Sequence, residues 1–210
     1  MRILVVDDHD IIRLGLKQLL ESRSGWEICG EAATGNEAVM LAKRFKPHII
    51  VMDIGMPELN GIEATRKIRE LLPQTKIVVL TMHFSDQLIG EIVGAGACGY
   101  ILKSDADREL VAAVETVASG GSYFTPEAAN TLRGPHGMPA SSAFERRITP
   151  REREIVQLLA EGKSSKDVAV SLGISVKTAE THRANAMRKL ELHSITELVR
   201  YAIKNKIVKA

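Results

Sequence analysis

The sequence predicts an α/β fold: a doubly wound, five-stranded parallel sheet followed by a small all-α domain. Three observations carry that reading. Over roughly the first 120 residues, short apolar runs alternate with stretches in which apolar residues recur every three or four positions. Near Gly120 the alternation gives way to a stretch rich in Gly, Pro and Ser. The last ~60 residues then carry helical periodicity alone, punctuated by capping residues.

The apolar runs fall at Ile3–Val6, Glu27–Ala32, Ile49–Met52, Ile77–Leu80 and Tyr100–Leu102, and helical patterns lie near 11–22, 35–46, 61–72, 86–95 and 107–119. In the first helix Ile12, Leu16, Leu19 and Leu20 share one face. Strands separated by helices pair in parallel, with helices covering both faces of the sheet. Right-handed crossovers make the flavodoxin-like order the expected topology.

The chain has 210 residues, 45% hydrophobic and 26% charged, enough for two modest cores. No apolar stretch approaches the ~18–20 residues of a membrane span, and the N-terminus enters a strand without a signal-peptide layout. A cytoplasmic protein with no membrane partner is expected. Cys29 and Cys98 belong to no CxxC or Cys/His cluster and read as inert, mostly buried thiols. The net charge of +2 hides an asymmetry. Residues 1–144 carry 14 Lys+Arg against 18 Asp+Glu, a balance of −4, whereas residues 145–210 carry 14 against 8, a balance of +6. The basic tail suits a polyanion.

Three domains follow: an α/β domain over 1–120, a linker over 121–146 with a short helix near Pro126–Leu132, and a helical domain over 147–210. The tail predicts four helices near 150–161, 165–172, 176–190 and 195–204. Thr149-Pro150-Arg151-Glu152, Ser164-Ser165-Lys166-Asp167 and Ser194-Ile195-Thr196-Glu197 read as capping boxes. Gly162 and Gly173 end the helices before them.

In a doubly wound sheet, functional groups gather beyond the carboxyl ends of the strands. Asp7 and Asp8 end the first strand, Asp53 the third, Thr81 the fourth and Lys103 the fifth. The first and third strands are neighbours in this order, so three carboxylates share a small volume and call for a cation. Mg²⁺ takes few carboxylates and keeps positions for a phosphate ligand. Asp10 reads as a first-turn helix acid.

DDHD, MDIGMPELNG, LTMH and GYILKS together resemble the receiver domain of two-component response regulators, over the whole of residues 1–120. The resemblance implies that Asp53 accepts a phosphoryl group from a sensor histidine kinase. Asp8 and Asp53 would hold Mg²⁺ with the Gly55 carbonyl, and Asp7 would assist through water. Lys103 would pair with Asp53 or its phosphate, Thr81 would bond a phosphoryl oxygen, and Tyr100 would reposition with it. Carboxylate attack on phosphorus needs charge neutralisation more than a strong base, which fits this set. Ser104 stands where many receivers have Pro, so a cis peptide is not expected as a matter of course. Gly55 and Met82 are expected to tune the lifetime of the acyl phosphate. A haloacid-dehalogenase phosphatase would place an Asp where Gly55 stands, and a flavodoxin would not put DDHD beside an FMN phosphate.

In the tail, Val168, Ala169 and Leu172 face inward, Gly173-Ile174 turns the chain, and Ser175 caps a helix whose inner face holds Val176, Ala179, Ala186 and Leu190. Two short helices joined by a glycine turn make a helix-turn-helix. The second exposes residues suited to a DNA major groove. ITPREREIVQLLAEGKSSKDVAVSLGISVKTAETHRANAMRKLELHSITELVRYAI resembles the LuxR-type domain of the NarL/FixJ class. That resemblance places Glu180, Thr181 and Ala184 for base contact. It makes Lys163, Lys166, Lys177, Thr178, His182, Arg183, Arg188 and Lys189 candidates for the DNA backbone, His182 having a packed position as its alternative. Glu191 replaces a common Gly after the recognition helix, losing an easy C-cap. Ala186 shrinks the inner face. Without the resemblance, a solvated dimerisation bundle is the alternative for a basic helical tail.

The expectation is a phosphorylation-dependent transcriptional regulator that binds paired half-sites on double-stranded DNA, as a homodimer when phosphorylated. Its own chemistry would be at most self-catalysed phosphoryl transfer and aspartyl-phosphate hydrolysis. A constitutive DNA binder with a vestigial receiver, and a phosphotransfer sink with no DNA role, are the competing readings.

Overall fold

The computed structural model describes residues 1–82, 85–125, 128–129, 148–205 and 207–208. Most of the expected linker lies outside the described residues; of the short helix expected near Pro126–Leu132, Ala128 and Ala129 are described and are helical, the Ala129 N–H donating to the Thr125 carbonyl at 2.8 Å. The chain divides into two compact units.

The first unit alternates strand and helix as the periodicity predicts. β1 (Arg2–Val6), β2 (Glu27–Ala32), β3 (Ile49–Asp53), β4 (Lys76–Thr81) and β5 (Gly99–Leu102) form one parallel sheet in the order β2-β1-β3-β4-β5. Between and after them run α1 (Asp10–Glu21), α2 (Gly35–Phe45), α3 (Gly61–Leu71), α4 (Asp86–Gly94) and α5 (Ala106–Ala118). Successive side chains on a strand point to opposite faces. On one face Ile3, Val5, Ile49, Val51, Val78, Leu80 and Ile101 pack with Leu16 and Leu20 of α1 and with Leu110, Ala113, Val114 and Val117 of α5. The intervening Leu4, Val6, Ile50, Met52, Ile77, Val79 and Tyr100 are equally buried. Phe45 of α2 and Leu4 both close over Gly30 of β2, where a Cβ would stand 3.1 Å from the ring. Strands buried on both faces explain why the runs are continuously apolar.

The unit extends past the expected boundary at residue 120. Tyr123 accepts a hydrogen bond from the Tyr100 N–H at 2.8 Å and donates its own N–H to the Cys98 carbonyl at 3.0 Å, covering the open edge of β5. An unpaired edge is a template for unwanted pairing, so this short bridge protects the sheet.

The second unit is the four-helix tail: α6 (Pro150–Ala160), α7 (Ser165–Leu172), α8 (Val176–Lys189) and α9 (Ile195–Lys204). Ile155, Val156, Leu158, Leu159, Val168, Ala169, Ala179, Ala186, Leu190, Leu198 and Ala202 form its core. The capping boxes at Thr149/Glu152 and Ser164/Asp167 form in full. The third forms by half. Ser194 accepts from the Glu197 N–H at 3.1 Å, but the Glu197 carboxylate reaches one residue further back, to the His193 N–H at 2.7 Å. Gly173 closes α7 in the left-handed conformation, φ 64°. Glu191, expected to lose an easy cap, is forced into that same region at φ 56°, which a Cβ disfavours. The expected inner face of α8 holds at Ala179, Ala186 and Leu190, all buried. Val176 departs from it. Placed in the first turn of α8 just after the Ser175 cap, it is 42% exposed.

Candidate functional site: an acidic pocket and a basic helix

Parallel pairing aligns the strand ends. Val6 pairs with Met52, Asp53 with Leu80, and Thr81 with Leu102, so Asp7, Asp8, Asp53, Thr81 and Lys103 arrive at one end of the sheet. Asp7 and Asp53 are almost wholly buried, as is Thr81. Lys103 opens a short 3₁₀ turn directly after β5. Its ammonium is also buried and sits 2.5 Å from Asp7 Oδ2 and 2.9 Å from Asp53 Oδ2. One cation thus binds two carboxylates that could not otherwise share a dry volume. Asp53 Oδ1 accepts from the Ile54 N–H at 2.8 Å, which fixes the carboxylate plane. The receiver resemblance pairs Lys103 with Asp53 or its phosphate; the structure adds Asp7 as a second partner.

The loop after Asp53 is shaped by Gly61. Its N–H donates to the Ile54 carbonyl at 2.9 Å, and a Cβ at this position would overlap the Asp53 carbonyl oxygen. Asn60 caps α3 by accepting from the Glu63 N–H at 3.0 Å. Only glycine lets the chain pass this close behind the acid-bearing strand. Tyr100, on β5, is fully buried, and desolvation pushes its hydroxyl up to about 12, so the ring is neutral at any ordinary pH. Met82, next to Thr81, is 66% exposed. Among the described residues there is no cis peptide, including that between Lys103 and Ser104.

Two residues of the pocket escaped the sequence reading. His9 places Nδ1 2.8 Å from Asp8 Oδ1 and 3.2 Å from Asp7 Oδ1. Asp7, Asp8, His9 and Asp53 each offer a ligand atom within 4.8 Å of the others. Arg13, one turn into α1, donates to the Asp7 carbonyl at 2.8 Å and to Asp10 at 2.6 Å, and lies 3.4 Å from Glu31 at the end of β2. It clamps the loop that carries the acids. The signal for Arg13 was its spacing of three from Asp10, a common helical ion pair; that for His9 was its place within DDHD. Three carboxylates, a compensating ammonium and an open edge make a donor set suited to a hard divalent cation.

The tail presents its charge differently. Lys177, Thr178, Glu180, Thr181, Ala184 and Arg188 of α8 are exposed, while His182, Arg183 and Asn185 are half-buried. Ser175 caps the helix by accepting from the Thr178 N–H at 3.0 Å, with the two hydroxyls 2.8 Å apart. The Thr181 hydroxyl donates to the Lys177 carbonyl of its own helix at 2.8 Å. Lys166 is exposed and Lys163 lies 3.4 Å from the Ser171 hydroxyl. Lys189, expected at the DNA backbone, has an internal partner: its ammonium sits 2.7 and 2.9 Å from the two oxygens of buried Glu152, tying α8 to α6. Burial alone would raise the Glu152 carboxyl, but the bonds from Lys189 and the Thr149 N–H outweigh it and hold it below the ordinary carboxylate range. No helix among the described residues is long and apolar enough to cross a membrane.

Both units match known protein families. Residues 3–115 match the response regulator receiver domain, and residues 146–202 match the bacterial regulatory proteins of the luxR family. The chain is 40% identical over 208 residues to the transcriptional regulatory protein MctR of Rhizobium johnstonii, covering 99% of this chain and 95% of the relative. It is 35% identical to the response regulator protein VraR of Staphylococcus aureus, covering 99% of each. Among solved structures, a LuxR-family two-component response regulator from Aurantimonas sp. SI85-9A1 aligns at TM-score 0.60 and 39% identity, over 63% of this chain and 94% of that one.

Proposed function

The chain belongs to the response regulators that join a receiver domain to a luxR-family DNA-binding domain, and from that premise we propose that Asp53 accepts a phosphoryl group from a sensor histidine kinase and thereby controls DNA binding by α8. The observation that carries the proposal is the buried triad of Asp53, Asp7 and Lys103 at the strand ends. An Asp53 carboxylate oxygen attacks phosphorus, the bond from phosphorus to the donor breaks, and the donor nitrogen leaves with its electron pair. Lys103 stays beside Asp53 and offsets the negative charge that gathers on the phosphoryl oxygens. Asp8, Asp53 and the Gly55 carbonyl would hold Mg²⁺, with Asp7 assisting through water, and the ion would supply further neutralisation of the phosphoryl charge. Thr81, at the end of β4, bonds a phosphoryl oxygen, and Tyr100 repositions with it. The chain's own chemistry is self-catalysed transfer and hydrolysis of the acyl phosphate, without turnover of a separate substrate.

On the DNA side, Glu180, Thr181 and Ala184 face base edges in the major groove. Lys163, Lys166, Lys177, Thr178, His182, Arg183 and Arg188 serve phosphates, which position the helix without reading sequence. Two copies sit on paired half-sites. A predominantly inactive population becomes predominantly active with ~5 kcal/mol of differential stabilisation. The protein acts in the cytoplasm.

The phosphoacceptor claim is tested by incubating wild type and Asp53→Asn with acetyl phosphate and Mg²⁺ and weighing the intact protein. Wild type gains one phosphoryl group and the variant none. Equal labelling of both would place the acceptor elsewhere.

A further inference from the structure

The acidic pocket holds a nitrogen that the cation site described above does not use. Resting on that site, we propose that His9 Nδ1 ligates the divalent ion held by Asp8 and Asp53 in place of one water, making a mixed nitrogen–oxygen site that favours Mn²⁺ over Mg²⁺.

The spacing supports ligation. Neighbouring ligands on an octahedral ion with bonds of ~2.1 Å stand ~3.0 Å apart, and opposite ligands ~4.2 Å. His9 Nδ1 stands 2.8 Å from Asp8 Oδ1 and 3.2 Å from Asp7 Oδ1. All four side chains of the cluster offer an atom within 4.8 Å of the others. The ring is also held in place. The His9 N–H donates to Asp7 Oδ1 at 2.9 Å, fixing the backbone beneath it. His9 occupies the N-cap position of α1, yet its side chain makes no capping bond, so the imidazole is not diverted to the helix end. Its side chain is 52% exposed, against 0% for Asp7 and 5% for Lys103, so it lies on the solvent side of the cluster.

Ligation uses the Nδ1 lone pair, with the ring proton on Nε2. A simple hydrogen bond to the carboxylates would instead place the proton on Nδ1, where it would oppose a cation. The two arrangements differ in metal preference. Mg²⁺ is satisfied by oxygen alone, whereas imidazole strengthens binding of Mn²⁺ and later ions of the series.

The test loads the full-length protein with Mn²⁺ and records pulsed electron paramagnetic resonance, which detects a directly bonded ¹⁴N. Wild type is expected to show imidazole nitrogen modulation, and His9→Ala and His9→Gln to lack it. In competition titrations the preference for Mn²⁺ over Mg²⁺ falls by about tenfold in both variants. Bound Mn²⁺ without nitrogen modulation in wild type overturns the proposal, a result that needs no variant to fold. Modulation that persists in both variants also overturns it. Wild-type labelling of Asp53 with Mg²⁺ alone, run in parallel, reports separately on the phosphoacceptor reading. Failure of wild type to bind either ion overturns both.

Discussion

The two units of this chain handle charge in opposite ways. In the first, Asp7, Asp53 and Lys103 are buried and meet only because three strands end at the same level. In the second, Lys177, Glu180 and Arg188 of α8 lie on one exposed helical face, set by local periodicity and by the Ser175 cap. A buried, convergent set suits chemistry in a low dielectric, where each charge acts strongly and tolerates little displacement. An exposed, one-dimensional set suits a polyanion, where each contact contributes modestly and salt screens it. Substitutions in the first unit should therefore cost more, and depend more on a bound cation, than those in the second.

The harshest test of that contrast is Gly61→Ala. A methyl group there overlaps the Asp53 carbonyl, so β3 or the start of α3 must move. We expect a loss of about 4 kcal/mol in the first unit, read as an earlier urea transition. Loss near zero would mean that the loop behind Asp53 is not tightly placed. Next comes Lys103→Met, which leaves two buried carboxylates without their cation. The expected cost is about 3 kcal/mol at neutral pH, partly recovered on adding Mg²⁺. A variant as stable as wild type without Mg²⁺ would show that Lys103 is not the counter-ion.

In the second unit the effects should be smaller. The Glu152 carboxyl is held below the 4.5 of its free form, so its contribution is fully present above that pH and lost as pH falls through the lower, folded value. Acid unfolding of the isolated C-terminal transition should be less steep below about pH 4.5 in Glu152→Gln, which should also cost about 1 kcal/mol at neutral pH. An identical acid profile would remove Glu152 from the account. The smallest change runs the other way. Glu191→Gly relieves a positive φ and should stabilise the unit by about 0.5–1 kcal/mol, visible as a slightly raised melting temperature.

The same contrast decides what could be read from the sequence. The helices of the tail were legible because their signals are local: Thr149 and Glu152 satisfy one another across a single turn. Val176 was misplaced because periodicity does not say where the core ends, and the first turn of α8 lies beyond it. In the sheet, the strand-end acids and Lys103 were legible once the strand order was assumed. Arg13 and His9 were not assigned roles, since their partners are a backbone carbonyl and carboxylates whose direction depends on how the β1–α1 loop folds. The bond of Lys189, expected at the DNA backbone, to Glu152 was not legible because a lysine late in a basic helix gives no hint of a buried carboxylate 37 residues earlier. The short bridge at Tyr123 was read as linker, since one hydrogen-bonded residue has no periodicity.

The central claim is that occupancy of the buried acidic pocket governs the exposed basic helix. The most direct measurement is retention of genomic DNA fragments by wild type and Asp53→Asn, each with and without acetyl phosphate in Mg²⁺. A gain in retention on phosphorylation for wild type alone is the predicted result. Equal retention in all four conditions would contradict the claim and leave a constitutive binder, and no retention in any of them would leave a phosphotransfer sink.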